Sequence, residues 1–137
     1  MPSYDVVIAS LAIDAPQKWI DNLLSQHFVP EVVMEKRGVA RKISYGAVVR
    51  LALARELHVI LGMSVREALG LAESLLEPSG GGVHVRGHLR VTVDRSGLER
   101  ALNERLREAL ESAPTPRRGR PPQRQRSSIG IPPLKAE

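Results

Sequence analysis

The 137-residue chain contains no cysteine, which excludes a disulfide framework, a thiolate metal site and a cysteine nucleophile. Aromatic residues are scarce: one Phe, one Trp and two Tyr. With 42% hydrophobic residues a core is affordable, but it has to be aliphatic. Long apolar runs are missing too. The longest, "VVIASLAI" (6–13), is too short to span a bilayer, and no basic region leads into an apolar run within the first thirty residues. These absences predict a soluble cytoplasmic protein with no membrane partner. No glycine-rich phosphate loop, Ser-His-Asp set or paired carboxylates appear, so an enzyme is not expected. The four histidines, His27, His58, His84 and His88, lack metal-ligand spacing. His84 and His88, if on one strand face, lie about 13 Å apart at ~3.3 Å per residue, too far to share one ion. Neither metal nor cofactor is expected, and Trp19 reads as a core residue rather than a base-stacking platform.

Charge is present, and unevenly placed. Residues 1–113 hold fourteen Lys+Arg and fourteen Asp+Glu, a net charge of zero. The whole excess of +5 lies in residues 114–137, with five Arg, one Lys and one Glu. That segment, "TPRRGRPPQRQR" at its centre, has no apolar side chain there except proline and reads as disordered. A concentrated cationic tail fits a polyanion partner, and it equally fits a solubilising extension.

Pro78 to Gly82 form a flexible joint, and the pattern before it is helical. "YDVVIASLA" (4–12) reads as a short helix. Asp14, with Pro16 in the first turn and Gln17 three residues on, reads as the cap of a second helix through Ser25. Trp19, Ile20, Leu23 and Leu24 point inward from it. Val32–Met34 and Val39–Ile43 flank Glu35-Lys36-Arg37-Gly38, the layout of a hairpin. Ser44 caps a long helix that ends at Gly62, and Ser64 with Glu67 makes a capping box for another, up to Pro78. After the joint, Val83, Val85, Leu89, Val91 and Val93 share one parity. They predict a half-buried strand, or two strands hinged at Gly87. Asp94 or Ser96 then caps a last helix with Leu98, Ala101, Leu102, Leu106, Ala109 and Leu110 on one face. One strand and one helix cannot hide both apolar faces alone, so the unit packs on the first domain or pairs with a second copy.

Residues 4–76 resemble the winged helix–turn–helix domain of the mercury-resistance regulator (MerR) family of bacterial transcription factors. The likeness lies in "ASLAIDAPQKWIDNLLSQHFVPE", in "VVMEKRGVARKIS" and in the "LGMSVREAL" turn between the two following helices. With the pattern of the remaining residues it gives a mainly α fold with small β elements (α+β): the resemblance implies a winged helix–turn–helix at 1–78, and the residue pattern adds a strand–helix dimerisation unit at 79–113 and a basic tail at 114–137. It also implies DNA-binding residues. Gln17, Lys18, Asp21 and Asn22 face the major groove, and Lys36, Arg37, Arg41 and Lys42 of the wing grip phosphates. Four cations within seven residues suit phosphates; Gln and Asn suit adenine edges. The chain departs from the family at Asp21-Asn22-Leu23, where an Arg-Tyr-Tyr run is usual, and lacks the long dimerising coiled coil.

"LRVTVDRSGLERALNERLREAL" is faintly similar to the first half of a ribbon–helix–helix repressor, a hint of a homodimer through residues 83–112. Arg118-Gly119-Arg120-Pro121, preceded by Arg117, resembles the core of an AT-hook, which implies contact with the minor groove of A·T-rich duplexes. The expectation is a double-stranded-DNA-binding transcriptional regulator or nucleoid-associated protein. The alternative is an antitoxin or adaptor, a protein-interaction module whose helix–turn–helix does not read bases.

Overall fold

The computed structural model describes residues 3–33, 41–78 and 81–112. Strand β1 (Ser3–Tyr4) leads into helix α1 (Val6–Ile13), capped by Asp5, whose side chain accepts the Ile8 N–H at 2.9 Å. Helix α2 (Gln17–Gln26) follows after a tight turn. Asp14 does not open α2; it closes α1 in the left-handed conformation (φ 57°), donating its N–H to the Ser10 carbonyl. Aspartate tolerates this geometry better than most residues. The N-cap of α2 is Pro16, with no side-chain cap bond, and Gln17 is the first helical residue.

Strands β2 (Val32–Val33) and β3 (Lys42–Ser44) pair antiparallel, Val32 opposite Ile43 and Val33 opposite Lys42. The other edge of β3 takes β1, giving the order β1-β3-β2. Ile43 is the buried side chain of β3. Helix α3 (Tyr45–Leu61) starts at Ser44, whose Oγ accepts the Ala47 N–H at 3.2 Å. It ends at Gly62, at φ +72°, where a side chain would be strained. Helix α4 (Val65–Leu76) begins with Ser64 accepting from Glu67 N–H at 3.2 Å, while the Ser64 hydroxyl donates to the Glu67 carboxylate at 3.2 Å. Both caps fall where the sequence places them.

Strands β4 (Val83–Arg86) and β5 (Leu89–Thr92) form a hairpin around Gly87-His88, with Gly87 at φ +60°. This is the two-strand alternative, and its register changes the faces. Directly opposed residues share a face, and here His84 opposes Val91 and Arg86 opposes Leu89. One face therefore carries His84, Arg86, Leu89 and Val91, and the other Val83, Val85, Arg90 and Thr92. The single apolar face suggested by parity does not form, because a two-residue turn returns odd positions of β5 opposite even positions of β4.

Helix α5 (Arg95–Ser112) is capped by Asp94, which accepts the Gly97 N–H at 3.1 Å; Ser96 lies inside the helix. Its apolar stripe is covered within the chain. Leu98, Leu102, Leu106 and Ala109 are buried in one continuous core with residues of α1, α2, α3 and α4. α5 lies against α1 and α3. Ala101 and Leu110 belong to the outer surface instead, Leu110 being 57% exposed. Of the two ways open to the C-terminal unit, α5 packs on the preceding helices, so its stripe is not a leftover dimer surface. Arg95 fastens this junction. It donates to the Leu76 carbonyl at 2.9 Å and to Glu99 at 2.8 Å, and Glu99 also accepts the Tyr45 hydroxyl at 3.0 Å. No helix among the described residues is long and apolar enough to cross a membrane.

Candidate nucleic-acid interface

Helix α2 is amphipathic because Ile20, Leu23 and Leu24 recur at helical spacing and are buried. The opposite face is left to solvent, and it carries Gln17, Lys18 and Asn22, all exposed. Trp19 lies between the two faces, half-buried against the core. Its ring is taken up within the chain: the Arg55 guanidinium sits 4.9 Å from the ring centroid and the His58 ring 6.0 Å away. His58 in turn has its Nδ1 at 2.7 Å from the Met63 carbonyl. A carbonyl only accepts, so Nδ1 carries the proton and donates.

Two carboxylates fix the strand pair β2–β3 beside α2. Asp21, on α2, takes Arg41 in an ion pair at 3.0 Å, and Arg41 also donates to the Ser25 hydroxyl at 3.3 Å. This gives Asp21 a local role, anchoring the residue that precedes β3. Glu31 does the same on the other side. It adopts φ +67°, accepts the Ser44 hydroxyl at 2.8 Å and lies 3.8 Å from Arg50 of α3. Gly46 leaves room for it, since a Cβ there would meet the Glu31 carboxylate at 2.9 Å. Neither acid was singled out by its spacing as a structural partner; the ties join residues 20 and 13 apart in sequence.

The structure thus brings Gln17, Lys18, Asn22 and Asp21 together on one helix, with Arg41 tied to it and Lys42 exposed on β3. Arg41 is already paired, which distinguishes it from the exposed Lys42. Lys36 and Arg37 lie outside the described residues, in 34–40, as do Arg117, Arg118, Gly119, Arg120 and Pro121 of the tail. The strongest titration effects lie elsewhere. The Arg95 guanidinium holds the Glu99 carboxyl below the usual carboxylate range, against its burial. Burial, and then Glu99, push the Tyr45 hydroxyl upward.

No protein-family model matches the chain, and no curated protein matches it.

Proposed function

We propose that this protein binds double-stranded DNA as a MerR-like winged helix–turn–helix factor, a transcriptional regulator or nucleoid-associated protein. The observation that carries the reading is the joint placement of α2 and the β2–β3 pair. The exposed Gln17, Lys18 and Asn22 sit on a helix that Asp21–Arg41 ties to the strand pair. The eight residues between those strands, 34–41, contribute Lys36 and Arg37 in sequence. A polar helix face of this kind suits base edges, and clustered cations suit phosphates. The tail supplies five net positive charges for phosphates or for an A·T-rich minor groove. Two copies reading two half-sites complete the arrangement.

Selection of duplexes from a random pool by the full chain tests this. An enriched sequence is expected for the wild type. Gln17→Ala/Asn22→Ala loses that preference while keeping bulk affinity. Lys36→Ala/Arg37→Ala lowers affinity for every duplex and flattens the log K versus log[salt] slope by about one to two units. A wild-type chain that enriches no sequence, with a slope unmoved by the wing variant, sinks the reading.

A second reading rests on the Asp21–Arg41 pair itself. An aspartate on the reading helix that absorbs a nearby cation, in a net-neutral 1–113 segment, suits an antitoxin or adaptor that holds another protein. Its mark is copurification of a stoichiometric protein partner with no duplex preference.

A further inference from the structure

We propose that the groove between α4 and the β4–β5 hairpin is the face through which two copies of this chain pair. It builds on the two-copy arrangement above and moves the contact from the α5 stripe, which the chain covers itself, to this groove. The groove has a volume of about 530 Å³ and is lined in part by Met63, Gly70, Leu71 and Val91. Leu61 and Leu89 stand at its lip, 63% and 70% exposed. Contiguous apolar surface of this kind marks an interaction site on a soluble protein.

Gly70 is the independent sign that something enters. It lies inside α4, where glycine is disfavoured relative to alanine. A Cβ built there meets nothing within 4 Å among the described residues, so none of their contacts requires its absence. The open backbone serves a neighbour that approaches the helix closely.

Charge selects that neighbour. The helix side of the groove carries Glu67, and the hairpin side carries Arg86 and His84. No acidic residue occurs between Glu77 and Asp94. A groove with opposite charges on its two sides is complementary to itself about a two-fold axis. Arg86 of each copy then meets Glu67 of the other, and each Leu89 enters the other's groove over Gly70. The chain's own apolar tail segment, Ile129 to Leu134, is a poorer occupant. Its flanking cations Arg126 and Lys135 can meet Glu67, but it has no acidic residue before Glu137 to meet Arg86, whereas a second copy supplies both charges.

The test is the mass of the full chain without DNA, by sedimentation over a range of micromolar concentrations. A species of about 30 kDa is expected, twice the 15.0 kDa chain. Leu89→Glu raises the dissociation constant by at least ~100-fold. Glu67→Arg and Arg86→Glu each weaken pairing by ~10-fold, and the double exchange restores it. All three residues are exposed, and unchanged far-UV circular dichroism and melting of dilute samples verify that the variants fold. A monomer at every concentration, whatever else occupies the groove, overturns the proposal. So does a dimer indifferent to Leu89→Glu. A dimer that binds no DNA leaves it standing and counts only against the DNA reading.

Discussion

At the scale of single residues, the carboxylates explain most of what is particular to this chain. On the helix face proposed to meet DNA, Asp21 would repel phosphate, yet its oxygen holds Arg41 in place. The pair is partly solvated, with Asp21 51% exposed, so its contribution to stability is at most about 1 kcal/mol. Its electrostatic effect on a polyanion is larger. Asp21→Ala is expected to tighten duplex binding and steepen the salt slope by up to about one unit, since a negative charge leaves and Arg41 is freed. Anisotropy titrations over a salt series check this; weaker binding with a flatter slope contradicts it. Glu99 gives a pH prediction. Its folded pKa lies below the ordinary value of 4.5, chiefly through the Arg95 hydrogen bond. Its stabilisation is therefore present above that value and lost as pH falls through the folded pKa. Glu99→Gln is expected to cost about 1 kcal/mol at neutral pH and nothing once both forms are protonated. Urea melts of both proteins at neutral and strongly acid pH check whether the gap closes.

At the scale of elements, the helix starts at Ser44 and Ser64 were legible because a hydroxyl three residues before a free N–H is a local signal. The start of α2 was misread because Asp14 had two local uses, and the left-handed closure of α1 took it. Strand β1, two residues long, carries no periodicity and exists only through its partner β3. The hairpin's faces were misassigned because parity along the chain says nothing of how a turn returns it. Likewise, the apolar stripe of α5 was visible in sequence, but whether a copy or the same chain covers it is a long-range matter. Of the proposed interface, the exposed polar face of α2 was legible, whereas the Asp21–Arg41 and Glu31–Ser44 ties were not. The cover of α5 is testable. Leu102 is fully buried, so Leu102→Ala is expected to cost about 2–5 kcal/mol. Because the contact is intramolecular, that loss is independent of protein concentration in chemical denaturation; a loss that grows on dilution contradicts the packing described. Gly62 and Gly70 give opposite signs. Alanine at Gly62 meets a positive φ and destabilises by about 1 kcal/mol, whereas alanine at Gly70 stabilises dilute protein by a similar amount.

At the scale of the whole molecule, net charge is segregated along the chain. Residues 1–113 are neutral overall and the tail carries the excess. Removal of residues 114–137 is expected to reduce the salt slope by several units, up to about 0.9 for each cation that reaches a phosphate. Gly119→Ala separates a minor-groove hook from a polycation. It keeps every charge but adds a methyl where the backbone approaches the groove floor, so a hook loses its preference for A·T tracts and a polycation does not. Competition titrations with A·T-rich and G·C-rich duplexes read the difference. The tie from Arg95 to the Leu76 carbonyl has a consequence of another kind. It joins residues 19 apart, on either side of the hairpin, and Glu99 and Tyr45 back it from below. The hairpin is thus an excursion whose base is stapled, and its tip at Gly87-His88 is exposed. Lengthening a closed loop costs only about 0.6 kcal/mol per doubling, and the staple does not feel what happens at the far end. The tip is therefore a graft point of a particular kind: a peptide inserted between Gly87 and His88 leaves the fold of one chain undisturbed, while it stands between Arg86 and Leu89 and blocks the pairing of two copies.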